Sequence, residues 1–334
     1  MKRRFSMLLA LLTLFSSACA ETSRTFFAMD TVMTLWAADA PGALLEACEA
    51  EVMRLEALLS ATDPDSEIYR LNSTGQAALS PDTMALLQFA RDMGECTGGA
   101  LDVTLYPIVR AWGFTTGGTR VPDAAELRQL LPLVDYRQIA LHADGTALLP
   151  EGVMVDLGGV AKGYASDGIA DQLRQAGVQS ALIDLGGNLY CLGTKADGSD
   201  WRVGVRNPLG DGYCDALSVR DRAVVTSGNY ERAFIAEDGT RYGHIFAPGT
   251  GYPVDGDLLS ATVIGQEGAL CDALSTALFV MGSAQATDYL KGQDEVEALL
   301  LCADGRILAT AGLKETLRPM GEFEAWEIQW IEAE

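Results

Sequence analysis

Asp156-Leu-Gly-Gly-Val-Ala-Lys-Gly-Tyr-Ala-Ser-Asp167 joins an apolar stretch at residues 153–157 to residues 160–175. In the latter, Ile169, Ala170 and Leu173 recur at helical spacing, and Gly177 stands where a left-handed C-cap ends a helix. Residues 180–185 follow as a short apolar run that reads as a buried strand. Strand, glycine turn, helix and strand therefore succeed one another here. The fold question is whether that rhythm persists along the chain.

It does not. Upstream, residues 26–37 read as one strand and residues 43–59 as a helix, with Leu45, Val52, Leu55 and Leu58 in register. Pro64-Asp65-Ser66 is a turn whose serine is placed to cap a short helix through Leu71. Ser80 precedes Pro81 at the start of a helix through Met93, and Pro122 opens another that ends near Leu131. Residues 147–149 and 153–157 look like the two arms of a hairpin. Downstream, strands are expected at 201–205, 223–226, 234–236 and 260–264, then helices at 269–280 and 284–290. This irregular mixture favours an α+β (irregular α/β) architecture over a doubly wound sheet.

At 334 residues, 49% apolar and 21% charged, the chain is an ordinary globular protein with a large core. Its net charge of −22 argues against a nucleic-acid partner. It still permits a phosphate-bearing small ligand, held locally by a metal ion or by helix-terminus amides. Lys2, Arg3 and Arg4 precede a short apolar run at residues 7–15, followed by Ser16, Ser17, Ala18 and Cys19, which is the pattern of an export signal. The expected organisation is a signal peptide with lipobox at 1–19, one domain at 20–320, and a C-terminal tail at 321–334. Cleavage before Cys19 gives a lipoprotein held at the outer face of the cell membrane, whereas Ala18-Cys19-Ala20 also fits simple secretion. The six remaining cysteines form no C-x-x-C pair and have no neighbouring histidine, which argues against zinc; an exported chain can form disulfides, but their apolar contexts favour buried free thiols.

Four segments hold more polar and glycine content than folding requires. The first is the 156–167 turn, where a new helix offers free N–H groups to an anion, although a tight turn with Asp156 as cap accounts for it equally. The second is Asp184-Leu-Gly-Gly-Asn-Leu189, which repeats the acid-Leu-Gly-Gly pattern but lacks the G-x-G-x-x-G of dinucleotide folds. The third is Tyr242-Gly-His244-Ile-Phe-Ala-Pro-Gly-Thr250-Gly251, with one of only two histidines in the chain. The fourth is Cys271-Asp272-Ala-Leu-Ser275-Thr276, where Asp272, Ser275 and Thr276 share one helical face. Hard oxygen donors on one face suit Mg²⁺, while Asp272 alone is also explained as a carboxylate facing a helix dipole. Taken together these residues suggest a phosphate ligand bound through a metal, without naming it.

The same segments resemble the ApbE family of FAD:protein FMN transferases from about residue 25 to residue 281. The family's D-L-G-G-[IV]-A-K-G-Y-A-x-D is complete at 156–167. Its G-G-N stands at 186–188 and its T-S-G-x-Y-x-R-x-F at 226–234. Its H-I-x-[DN]-P-x-T-G stands at 244–251 and its A-D-A-L-S-T-A-x-F motif at 271–279. L-D-[VI]-T-x-x-P and W-G-F match 101–107 and 112–114.

The resemblance implies a fold with its active site in a cleft between two sub-domains. It implies that Asp272, Ser275, Thr276 and the carbonyl of Gly159 hold Mg²⁺, and that Met29, Trp112, Gly113, Phe114, Asp156, Lys162 and His244 hold FAD. Asp272 and His244 are the expected catalytic residues. The chain departs from the pattern at Ser275, where many members have Asp, and at Ala247, where Asp or Asn is usual. It departs again at Met29-Asp30-Thr31 in place of M-G-T, and at Thr62, where a tyrosine is common. The implied reaction moves FMN from FAD to a threonine or serine hydroxyl of an acceptor protein, such as a membrane redox complex or an exported electron-transfer protein, and releases AMP. Two other readings use the same pocket: an exported FAD-binding protein, and a Mg²⁺-dependent FAD pyrophosphatase.

Overall fold

The computed structural model describes residues 21–332 except residue 231. The expected signal segment and Cys19 lie outside the described residues. One nine-stranded sheet organises the chain. Its strands are β1 (Glu21–Ala28), β2 (Thr31–Ala38), β3 (Ser180–Asp184), β4 (Asn188–Gly193) and β5 (Arg222–Ser227). They continue as β6 (Leu258–Gly265), β7 (Val296–Cys302), β8 (Arg306–Thr310) and β9 (Glu327–Ile331). Their spatial order is their chain order. Every neighbouring pair is antiparallel except β8 and β9, which are parallel. An antiparallel sheet with helices inserted between its strands is the α+β arrangement expected.

Both faces of the sheet are covered, which explains why its central strands are apolar runs rather than alternations. Tyr190, Leu192, Ala223, Val225, Ala261 and Val263 point to one face, which is packed by helices. Cys191, Val224, Ile264, Leu299 and Leu301 point to the other, beneath the hairpin Trp201–Arg206 and Tyr213–Val219. Three helices lie on the first face or flank it: α1 (Gly42–Leu59), α2 (Ala161–Gln175) and α3 (Gly268–Lys291). The long insertion between β2 and β3 also carries shorter helices and a three-stranded sheet.

Four expectations change. Residues 26–37 are not one strand but the facing arms of the β1–β2 hairpin, with Met29 and Asp30 as its turn. Both turn residues have positive φ (47° and 60°), which suits the right-handed strand twist of a two-residue hairpin but is unusual for residues with a Cβ. The expected 147–149/153–157 hairpin does not form. Thr146–Leu148 pairs instead with Gln76–Ala78 and Ala140–Leu141. Val155 is held by the Asn72 side chain, which accepts from its N–H at 2.7 Å and donates to its carbonyl at 2.8 Å. The two late helices are one element kinked at Gly282, whose φ of 74° leaves the helical region. Finally, within the stretch expected as a tail, residues 321–331 are part of the fold. β9 extends the sheet, and Phe323, 1% exposed, fills the second core. Short strand segments and a buried aromatic are weak periodic signals, so the sequence pattern missed them.

α3 is long and apolar enough to cross a membrane, but here it is a core helix. Its first turn crosses the first turn of α2 at Gly163 and Gly268, so closely that a Cβ on Gly163 would overlap the Gly268 backbone. Two carboxylates fix the crossing from opposite sides. Asp167 on α2 accepts from the N–H of Gly268 (2.6 Å) and of Ala269 (2.9 Å), capping α3. Asp272 on α3 accepts from the N–H of Gly163 at 2.9 Å, serving the start of α2. Burial pushes the Asp167 carboxyl up to about 6, and the two amides pull the other way. Gly163→Ala should force the helices apart and cost roughly 1–3 kcal/mol, as overpacked cores do. Urea unfolding checks this, and an unchanged midpoint would contradict so close an approach.

Candidate functional site

The α2–α3 crossing forms one wall of a cavity of 560 Å³, within the usual range of small-molecule sites. Of the residues singled out from sequence, Phe114, Asp156, Gly159, Lys162, His244, Asp272 and Thr276 line it. They come from four separated segments, so the fold brings together what the chain keeps apart.

The polar end is built around α3. Asp272, 4% exposed, gives one carboxylate oxygen to the Gly163 amide. Thr276, one turn on, faces the Gly159 segment, its Oγ1 3.9 Å from the position a Gly159 Cβ would take. Ser275 is fully buried and does not reach the cavity wall. Its hydroxyl donates to the Asp272 carbonyl at 2.9 Å, because at i+3 it turns back onto its own helix. Ser227, at the end of β5, takes the cavity side instead, with its Oγ 2.9 Å from Ser275 Oγ and 3.2 Å from Thr276 Oγ1. Among the described residues no cluster of three His, Cys, Asp or Glu side chains forms a metal site. One carboxylate, hydroxyls and a neighbouring carbonyl fit a hard cation that keeps several ligands from water or phosphate. The donor set therefore suits Mg²⁺ and is poor for zinc.

Lys162 stands in the first turn of α2 with Nζ folded back to the Gly158 carbonyl at 3.2 Å. Asp156 accepts from the Gly158 N–H at 2.9 Å, and burial raises its carboxyl above the usual carboxylate range despite Lys162 and Arg232 nearby. Arg232 and Asp30, both on the cavity wall, pair across it at 3.5 Å.

The other end is aromatic. Gly113 adopts φ 83° and caps the helix Tyr106–Trp112, turning the chain so that Phe114 reaches the wall. Trp112 does not line the cavity. It is fully buried, its indole N–H donates to the Gly251 carbonyl at 2.9 Å, and it packs behind Phe234, Tyr242 and Phe246. Met29 is likewise off the wall, its N–H donating to Glu56 Oε1 at 2.7 Å, while its neighbour Asp30 faces inward. Thr62 is not on the wall either. Ser227, Arg232, Asp30 and Asn188 line the cavity without being expected to hold the ligand; the sequence reading gives Asn188 only the ordering of a loop. Three of them stand inside the quoted T-S-G and G-G-N motifs, which was the available signal.

His244 Nδ1 lies 3.1 Å from the Arg232 carbonyl oxygen. That oxygen only accepts, so Nδ1 carries the proton and Nε2 keeps a free lone pair. Burial lowers the imidazole to about 4, with Arg232 and Lys162 pushing the same way. At neutral pH the site therefore holds an uncharged base beside two cations.

The cavity so far combines a hard-cation donor set, a lysine in the first turn of a helix and an aromatic slot. The ApbE family model matches residues 29–300, and the chain belongs to the ApbE family. It is 37% identical over 302 residues to the FAD:protein FMN transferase of Treponema pallidum, covering 83% of each chain. It is 31% identical over 276 residues to that of Klebsiella pneumoniae, covering 80% of this chain and 85% of the relative. Among solved structures, the ApbE protein of Thermotoga maritima superposes with a TM-score of 0.83 at 30% identity, covering 90% of this chain and all of that one. The Pseudomonas stutzeri flavinyl transferase ApbE gives 0.80 at 27%, covering 89% and 97%.

The low affinity of His244 for a proton has a measurable consequence. The folded state holds that proton more weakly than the unfolded chain, whose histidine titrates near 6.5. The stability tied to His244 is complete above pH 6.5 and is lost as pH falls through about 4. An imidazole titration by NMR should place its midpoint near 4. A midpoint at the ordinary value would show that burial does not control it.

Proposed function

We propose that the protein is a Mg²⁺-dependent flavin transferase that moves FMN from FAD to a threonine or serine hydroxyl of an acceptor protein, releasing AMP. The observation that carries this reading is the pairing in one cavity of the Asp272–Thr276–Ser227 oxygen cluster with the aromatic slot at Phe114. The names of its relatives supply the flavin and the protein acceptor.

Asp272, Thr276 and the Gly159 carbonyl would hold the cation, with Ser275 and Ser227 bracing the hydroxyls. Bound there, Mg²⁺ supplies charge neutralisation to a diphosphate inside a strongly acidic protein. Lys162, freed from the Gly158 carbonyl, adds a positive charge from the start of α2, whose amides also favour an anion. Phe114, with Phe234 and Phe246 beside it, provides a face for a flat ring. Gly113 sets the direction of Phe114, and Trp112 backs the slot. Met29 holds the hairpin turn that presents Asp30.

In the reaction the acceptor oxygen forms a new bond to the FMN phosphorus. The bond from that phosphorus to the bridging oxygen breaks, and AMP departs with the bridging oxygen. The hydroxyl proton passes to His244 Nε2, whose proton affinity rises once diphosphate charge enters the pocket. Asp156 is a hydrogen-bonding partner for the bound dinucleotide. The segment 1–19 supports export and attachment through Cys19 to the outer face of the membrane, near membrane redox complexes or exported electron-transfer proteins.

The test is incubation with FAD and Mg²⁺, with and without a peptide bearing an acceptor threonine. Flavin covalently on the peptide with stoichiometric AMP is expected. Free FMN and AMP regardless of peptide would make the protein a pyrophosphatase, and unchanged FAD would make it a binding protein. Asp272→Asn keeps the shape but removes the charge. It should slow transfer by more than ~100-fold, beyond the loss usual for groups that only orient metal ligands.

A further inference from the structure

Asn188, the first residue of β4, lines the cavity and is 1% exposed. Neither its Oδ1 nor its Nδ2 has a hydrogen-bond partner among the described residues. A buried side-chain amide with both ends unfilled is destabilising, so its retention needs a reason that the unliganded fold does not provide.

Its place in the sheet identifies that reason. Asn188 pairs across the ladder with Val225. It shares the helix-facing side of β4 with Tyr190 and Leu192, both in the core under the helices. Ser227 is two residues beyond Val225 on the same side of β5. Diagonal neighbours of this kind lie about 7–8 Å apart along the backbone, within reach of one ligand group between their side chains. Ser227 Oγ already touches Thr276 Oγ1, the oxygen cluster assigned above to the cation. The aromatic slot of Phe114, Phe234 and Phe246 belongs to a separate cluster. Asn188 thus sits at the diphosphate end of the cavity and not at the ring end.

The geometry points to Asn188 as a specificity-determining residue for the dinucleotide's diphosphate. Its Nδ2 donates to a non-bridging phosphoryl oxygen, and its Oδ1 accepts from a hydroxyl of the ribose on the adenosine side. This rests on the flavin-dinucleotide reading of the pocket. It adds an uncharged donor to a site whose other phosphate-binding elements are cationic or dipolar. It also explains the buried, unpartnered amide, because the ligand fills both of its ends.

The test compares Asn188→Leu and Asn188→Asp with the wild type in the full chain, with Mg²⁺ and three probes: FAD, ADP and riboflavin. Asn188→Leu keeps the volume and removes both unfilled polar ends, so the ligand-free melting temperature should hold or rise. Affinity for FAD and for ADP should fall at least tenfold, and further for Asn188→Asp, whose negative charge opposes phosphate. Riboflavin, which has no phosphate, should bind all three proteins alike. A lower ligand-free melting temperature for Asn188→Leu with FAD affinity unchanged would make the amide structural and overturn the assignment. Loss of riboflavin binding with ADP binding kept would move Asn188 to the ring end and overturn it equally. Wild-type protein that binds neither FAD nor ADP would defeat the dinucleotide reading itself. Wild-type binding with unaffected variants would defeat only the role of Asn188.

Discussion

The reciprocal contact between the first turns of α2 and α3 is the constraint on which the site depends. Each helix lends the other a carboxylate: Asp167 caps α3 and Asp272 receives the Gly163 amide. The glycines at the crossing let the two backbones approach within side-chain-free distance. Because the four first N–H groups of a helix lack internal partners, a carboxylate there is favourable in both directions. The result is that Asp272 is held by a backbone bond from another element and cannot drift with its own helix. The Gly158-Gly159 turn that leads into α2 is fixed relative to Thr276 by the same contact. A misplacement of about an ångström is costly in positioning a reacting group, and this crossing removes the main source of it.

The acidity of the protein makes the same contact chemically useful. With a net charge of −22, the chain would repel a dinucleotide unless positive potential were concentrated locally. The cavity does so with few groups: a cation donor set on α3, Lys162 in the first turn of α2, and Arg232 opposite Asp30. Without a ligand these groups occupy one another. Lys162 turns to the Gly158 carbonyl, Arg232 to Asp30, and the hydroxyls of Ser227, Ser275 and Thr276 to each other. A bound phosphate or cation would engage the same groups.

The sequence made different parts of this legible to different degrees. The helices with clear 3.6-residue periodicity, α1 and α2, were found within a residue or two because their apolar stripes face a single core. The buried strands β4, β7 and β8 were poorly marked because a strand covered on both faces loses its alternation. The β1–β2 hairpin was read as one strand because Met29-Asp30 lacks the glycine or asparagine that usually marks such a turn. At the site, Asp156, His244, Asp272 and Thr276 stand out by type and spacing, whereas Phe114 and Lys162 come only with the family resemblance. Which of them touch it depends on tertiary geometry. Trp112, an apolar side chain with one donor, satisfies that donor on Gly251 and so belongs to the wall's support. Ser275 is drawn to its own helix carbonyl, an option open to any helical serine that no sequence pattern reveals.

The strained turn at Met29-Asp30 gives the last link between fold and site. A residue with a Cβ held at positive φ is unfavourable, and two in succession persist only when surrounding contacts determine them. Two contacts do so here. Glu56 of α1 accepts the Met29 N–H, and Arg232 reaches Asp30 from across the cavity. Since Asp30 lies on the cavity wall and Arg232 is one of its few cations, the turn conformation and the charge balance of the pocket are set together. A ligand phosphate that draws Arg232 inward removes one of the two contacts that hold the turn. The Glu56 contact remains, because it comes from a helix packed on the core and not from the pocket. The hairpin is therefore anchored on its core side and adjustable on its ligand side.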